Sequence, residues 1–404
     1  MILFVAPNPF KTKEHEGYLQ RVAAIDALFE GEEKCYSGDC RNSDELAKYI
    51  IKADLIYVHS IYRAEEIIDC YPVFGTKIIT DLHGVVPEEE ELIGETRRSK
   101  ELDYIESIVM ANGKAFVVVT DAMKDHFKKK YGYIANKPYW ITLPIFDEKE
   151  VGRSEKRDIV VYAGGAQKWQ NTDLIVDIVN STDNGYAYTL LTHSLDAFDS
   201  ISKEKTDMVT LKSVTSDEVG SYYQDAKFGF ILRDDTTVNN VACPTKLIEY
   251  LTYGIVPIIK SPKIGDFEKH GYAYATVEQY KRGDLDDVTI QSYRIQNYKV
   301  IDELKSMTKK GKQSLRKTAK GIISKSNKAL NIEHLVSSAC QNSIARRDLG
   351  AANYQISEQI RMIHEYADAV TLHRKELSRL RSSKVYRFAK KARDSLSSWR
   401  SVSK

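Results

Sequence analysis

FGFILRDDTTVNNVACPTKLIEYLTYGIVPII, residues 228–259, reads as a buried strand (228–232), a polar loop, a short helix opened by Pro244, and a second strand (256–259). Proline at the start of a helix and glycine, here Gly254, just past its end is the usual punctuation. Lys246 and Glu249 lie three apart and so share one helix face. That face belongs at the carboxyl ends of two strands, where ligands of open α/β sheets bind. A cation beside a carboxylate there suits a ligand with both phosphate and sugar hydroxyls. The plainer alternative is a surface ion pair along the helix, worth a few tenths of a kcal/mol.

Outward from this stretch the chain alternates strands and helices. In residues 1–150, strands are predicted at 2–6, 55–59, 77–81, 115–120 and 139–143, with helices at 18–29, 43–51, 98–111 and 121–131. Strands apolar throughout and separated by helices imply a parallel sheet covered on both faces. The charged stretch 147–158 is expected to be a linker. The pattern then restarts with strands at 159–163, 186–192, 209–214, 228–232, 256–259 and 271–276, and with helices at 172–179 and 215–224, the latter capped by Ser216. The fold class is therefore α/β, with two doubly wound Rossmann-like domains, 1–150 and 151–330. From about residue 293 the chain turns helical and charged. A basic helix at 305–326 has few large apolar residues and is expected to pack only lightly. The remainder, 331–404, reads as a helical extension. Ile356, Ile360, Ile363, Ala367, Val370, Arg374 and Leu377 keep a coiled-coil-like spacing. This seam predicts either self-association or a helix packed back on its own domains.

Bulk composition narrows the class. Of 404 residues, 42% are hydrophobic, enough for sizeable cores, and 29% are charged, which argues against an integral membrane protein. The net charge is +2, yet residues 381–404 carry eight basic side chains against Asp394 alone, which leaves the rest of the chain acidic. There, Val385, Phe388, Ala392, Leu396 and Trp399 line one helical face flanked by Lys384, Arg387, Lys391 and Arg400. Such a stripe suits an anionic membrane surface. Nucleic-acid binding is not expected, since no RNA- or DNA-binding fold accompanies the basic run. Cys35, Cys40, Cys70, Cys243 and Cys340 are irregularly spaced with no C-x-x-C pair, so neither a zinc site nor a disulfide framework is indicated. The expected compartment is the cytoplasm, with at most peripheral contact at the inner face of the membrane.

Other residues stand at strand ends where chemistry is done. Gly164-Gly165 closes a strand and leads through Lys168 into a helix, allowing backbone and cation to meet a phosphate; the alternative is a tight turn. His83, after a strand and before Gly84, is expected to point into the site; the alternative is a hydrogen-bonded structural histidine. In the acidic run that follows, only Glu88 is near enough to count as a minor candidate. Arg233 ends a strand and is suited either to phosphate or to pairing with Asp234 or Asp235. Asn239 and Asn240 can bond sugar hydroxyls or serve the loop.

With these residues placed, the chain resembles glycosyltransferases of the GT-B architecture, in particular the retaining family 4. The resemblance rests on Asn8-Pro9-Phe10, on 17–22 (GYLQRV), on Asp81-Leu82-His83-Gly84, on Tyr162-Ala163-Gly164-Gly165, and above all on 244–251 (PTKLIEYL) with Gly254 and Pro257. It implies two Rossmann-like domains facing a cleft and a nucleoside-diphosphate sugar held mainly by the second. By it, Glu249 binds ribose, Lys246, Arg233, Lys168 and the Gly164-Gly165 amides stabilise the diphosphate, His83 lies near the reacting centre, and Gly17 sits by the phosphates. It implies no metal and no cofactor, because cations and helix termini neutralise the leaving group, and it implies retention of anomeric configuration. The chain departs from the family where Val241 stands in place of the first acid of a Glu–seven–Glu pair, and where Gln170 stands in place of a basic residue.

The expectation is a transferase acting on a surface-glycan or lipid-linked acceptor at an anionic membrane. The alternatives are a GT-B nucleotide-sugar epimerase and a non-catalytic glycan-binding partner of an active transferase.

Overall fold

The computed structural model describes residues 1–11, 17–144, 151, 156–325, 336–345, 348 and 359. Most of the linker, the 356–377 seam positions and the basic tail lie outside the described residues. Residues Met1–Ala345 form one unit containing both sheets.

The first sheet comprises β1 (Ile2–Val5), β2 (Lys34–Tyr36), β3 (Leu55–His59), β4 (Ile78–Leu82), β5 (Ala115–Val118) and β6 (Tyr139–Thr142), in the order β2-β1-β3-β4-β5-β6. The second comprises β7 (Arg157–Ala163), β8 (Ala187–Leu191), β9 (Val209–Lys212), β10 (Ala226–Ile231), β11 (Val256–Ile259) and β12 (Ala275–Thr276), in the order β12-β11-β10-β7-β8-β9. Every pairing is parallel. Strands such as β1, β3, β4 and β11 are buried at every position, as helices on both faces require. In the second sheet the strand order reverses between β7 and β10, so the loops after these two strands diverge and leave a crevice at their carboxyl ends.

Several expectations change. β2 was not foreseen, being three residues long and only partly buried. β7 begins at Arg157, inside the expected linker. The polar loop of 228–259 contains a short helix, Thr237–Val241, capped by Thr236, and Pro244 occupies the cap position of helix Thr245–Thr252. The cap of helix Ser216–Asp225 is Thr215, whose N–H and hydroxyl both donate to the Glu218 carboxylate at 2.9 Å.

The largest change concerns the C-terminal helix. Asp286 caps a single helix, Asp287–Ile323, that serves both halves. Near its start, Asn297 bonds both backbone groups of Ala273 in the second half. Further on, Leu315 and Ala319 are fully buried in the core formed by Ile2, Phe4, Tyr57 and Val117 of the first half. The basic segment is not lightly packed. Val336 and Cys340 join a buried cluster drawn from both halves.

The two halves also meet at helix Asp121–Tyr131. Its cap Thr120 donates to Val241 O at 2.6 Å, and the first N–H groups, of Asp121 and Ala122, reach the buried Asp266 carboxylate at 2.6 and 2.9 Å. A carboxylate from one half thus meets the positive end of a helix from the other. No described helix is long and apolar enough to cross a membrane.

Candidate functional site

On the first half's side the site grows from the end of β4. Asp81 is fully buried and accepts two bonds from Arg21, from Nε and Nη2 at 2.8 Å each, plus one from Tyr57 OH at 2.8 Å. Burial alone opposes ionisation of Asp81, but the Arg21 guanidinium overrides it and holds the carboxyl at about 2. Ser60, after β3, has φ +79° and bonds Asp81 O through its N–H at 3.0 Å. The preceding His59 stacks on His83 with ring centroids 4.3 Å apart. Burial, then the neighbouring positive groups, lower the pKa of His59; burial lowers that of His83, so both rings are neutral near pH 7. His83 Nδ1 is buried without a hydrogen-bond partner, so stacking orients this ring.

His59, Asp81 and His83 bring metal-type donor atoms within 4.8 Å of one another. The set does not fit a divalent cation, because Asp81 already receives Arg21 and Tyr57 and a guanidinium charge sits against it.

His83 and Gly84 lead into helix Val86–Ile93, with Pro87 in its first turn. Glu88 turns away from the site to His126 (2.9 Å) and Lys130 (3.0 Å), so the sequence-based choice of Glu88 is corrected. Glu89 turns in instead. Its Oε1 accepts the Val85 N–H at 3.2 Å and packs so closely on Gly84 that a Cβ there would stand 2.4 Å from it. Burial, then Glu88 and Glu90, push the Glu89 carboxyl up to about 7 despite the Val85 N–H and Arg233.

The second half contributes the loops after β7 and β10, which flank the crevice. Lys246, on helix Thr245–Thr252, places Nζ 3.9 Å from the centroid of Tyr162 and 3.0 Å from Gln170 Oε1. It lies so close to Gly164 that a Cβ there would stand 2.7 Å from Nζ. Desolvation, with the Arg233 charge adding to it, drives Lys246 well below the usual lysine range, and Glu249 only partly opposes this. Arg233 donates to Asn239 Oδ1 at 3.1 Å, and burial brings its pKa down to about 10. Among the described residues, no carboxylate forms an ion pair with either cation. Asp234 pairs instead with Lys260 and Asn171, and Asp235 with Lys263 and Asn240. Asn239, buried, fixes Arg233 and bonds Asp234 O at 2.9 Å. Glu249 receives Tyr223 OH at 3.3 Å.

Both halves line one cavity of about 150 Å³. His83, Gly84, Val85, Glu89 and Met123 face it from the first, and Trp169, Arg233, Val238 and Ala242 from the second. Of the residues singled out in the sequence, His83 and Arg233 meet at this cavity, while Lys246 and Gly164, which do not line it, meet each other beside Tyr162. The Gly164 N–H is already bonded to Leu191 O at 3.0 Å, so it is not free for a ligand as expected. Lys168 is exposed and donates to Leu92 O across the cleft at 3.2 Å, while Gln170, not Lys168, touches Lys246. Gly17 opens helix Gly17–Asp26. Glu89, Trp169 and Met123 were not singled out. Four consecutive glutamates look alike in sequence, and only packing against Gly84 selects one of them.

No family model and no curated protein matches the sequence. Solved structures match the fold. HepE of Anabaena, in complex with UDP and glucose, is 10% identical over 79% of this chain and 99% of that chain, with a TM-score of 0.58. A glycosyltransferase from Rickettsia africae is 13% identical over 80% and 99%, with a TM-score of 0.53. AviGT4, a glycosyltransferase involved in avilamycin A biosynthesis, is 12% identical over 80% and 98%, with a TM-score of 0.51. Identities this low speak to architecture alone, here two parallel Rossmann-like sheets. This chain has the GT-B fold.

Proposed function

We propose that this protein is a glycosyltransferase that moves a sugar from a nucleoside-diphosphate donor to a hydroxyl of a surface-glycan or lipid-linked acceptor, without a metal. The observation that carries this reading is the pair Lys246 and Arg233. These two desolvated basic groups stand at the strand-order reversal of the second sheet, and among the described residues neither is ion-paired with a carboxylate. Two basic groups held near each other, with no carboxylate paired to them among the described residues, suit an anion, and a diphosphate supplies one. In this reading Lys246 and Arg233 take up the charge that develops on the departing diphosphate, the role a metal otherwise fills. Glu249 binds the ribose, Asn239 holds Arg233 in place, and His83 lies against the donor sugar. HepE, of the same fold, is seen with UDP and glucose, which makes UDP the first nucleotide to test. Retention, implied by the resemblance, needs no base. The carboxyl group found beside His83 favours the other course.

Thermal unfolding with UDP, GDP, ADP and dTDP and their sugars tests the reading. A ligand at 100 times its Kd stabilises the fold by about 2.7 kcal/mol. One of these nucleotides is expected to raise Tm for the wild type and not for Lys246→Met. His83→Ala and Glu249→Ala are expected to lose transfer while remaining folded. No shift with any of the nucleotides overturns the reading. Turnover of the donor without an acceptor to an epimeric sugar nucleotide favours the epimerase.

A further inference from the structure

We propose that Glu89 is the group that takes the proton from the attacking acceptor hydroxyl, so that transfer proceeds with inversion at the anomeric carbon. The inference rests on the transferase reading above and adds to it a catalytic base and a stereochemical course.

The geometry singles out this carboxylate. Of the four consecutive glutamates on helix Val86–Ile93, Glu88 is taken by His126 and Lys130, Glu90 by Tyr62 OH at 2.5 Å, and Glu91 by Thr96. Glu89 alone lines the cavity shared with His83 and Arg233. Its Oε1 is held by the Val85 N–H, and Gly84 leaves the space it occupies. Among the described residues, nothing hydrogen-bonds Oε2. Val85, Met123, Val238 and Ala242 make the walls apolar, and Trp169 offers a flat face of the kind on which a sugar ring rests. His83 is the less suitable base: its Nδ1 is buried inward, and its ring is stacked on His59.

The charged and titratable groups around Glu89 are Glu88 and Glu90 on its own helix, Arg233 after β10, and His83 after β4. Their balance, with burial, holds the carboxyl near 7, where a general base is both available and strong enough to work. In the step itself, the acceptor oxygen bonds to the anomeric carbon while its proton passes to Glu89 Oε2. The bond from that carbon to the diphosphate oxygen breaks, its electron pair leaves with the diphosphate, and Lys246 and Arg233 receive the charge. Glu89 then returns the proton to solvent.

The experiment uses the full chain and whichever nucleoside-diphosphate sugar gives the largest thermal shift, with water as the acceptor. Proton NMR recorded during hydrolysis reads the anomer first released. The released sugar is expected to be inverted relative to the donor. Glu89→Gln is expected to keep donor binding within about threefold and lose about a hundredfold or more in rate, with the rise in rate near pH 7 gone. A retained first product, or a Glu89→Gln rate near that of the wild type, overturns the base assignment and leaves the transferase reading standing. Absence of any donor shift in the wild type overturns the transferase reading and this inference with it.

Discussion

Arg21 and Asp81 lie 60 residues apart, yet each completes the other. Arg21→Met would leave a buried carboxylate without its counter-ion, for which the expected cost is about 3–5 kcal/mol in denaturant unfolding near pH 7. The sign with pH follows from the depressed carboxyl. The folded pKa of Asp81, at about 2, lies below its ordinary value of 3.8, so its stabilisation is fully present above pH 4 and is lost as pH falls through about 2. The gap between wild type and Arg21→Met is therefore expected to narrow across that window; a constant gap would place the effect of Arg21 in packing alone. Residues of this kind are only half legible in sequence. Asp81-Leu82-His83-Gly84 is visible as a strand ending in a polar turn, and His83 of that turn does line the cavity. Nothing along the chain announces Arg21 as the partner of Asp81 or Glu89 as the inward glutamate, because both depend on which side chains the fold brings together. Lys246 was legible because spacing put it on the same face as Glu249, but its aromatic seat on Tyr162 was not.

Among the elements, helix Asp287–Ile323 shows why sequence reading stopped short. The strands were readable from short apolar runs, and in both sheets all but β2 were placed. The basic segment of this helix lacked the large apolar stripe that signals a core face. Small residues replaced it: Thr308, Gly311 and Ala319, with one leucine, Leu315, form the buried side, and smallness permits close approach to the sheet. A Cβ at Gly311 would stand 2.5 Å from Thr142 O, a backbone atom that cannot swing aside. Gly311→Leu is accordingly expected to cost about 1–3 kcal/mol or more through overpacking. Urea unfolding should register that loss, whereas Lys310→Leu, at an exposed position on the same helix, should change stability little. Equal effects at both positions would show that helix propensity, rather than the helix–sheet contact, decides stability here.

Across the whole molecule the positive charge is concentrated in two places. No acidic residue occurs between 305 and 325; Lys309, Lys310, Arg316, Lys317 and Lys320 are exposed along that helix, and Lys325 is exposed just past its end. The second concentration is the 381–404 run, legible only as sequence. A basic residue near an anionic bilayer contributes about 1 kcal/mol, screened within about a Debye length. On the proposed reading, a transferase acting on a lipid-linked acceptor would gain from both, if each holds the chain at the surface where the acceptor lies. The two sites are separable by mutation. Deleting 381–404 is expected to weaken binding to vesicles containing phosphatidylserine by about tenfold or more at low salt. Replacing Lys309, Lys310, Lys317 and Lys320 by glutamine is expected to weaken it by a smaller factor, with both effects shrinking as salt rises. Co-sedimentation against neutral vesicles gives the baseline. If the deletion leaves binding unchanged while lowering the solution mass, the C-terminal segment joins copies of the chain and does not hold it to a membrane.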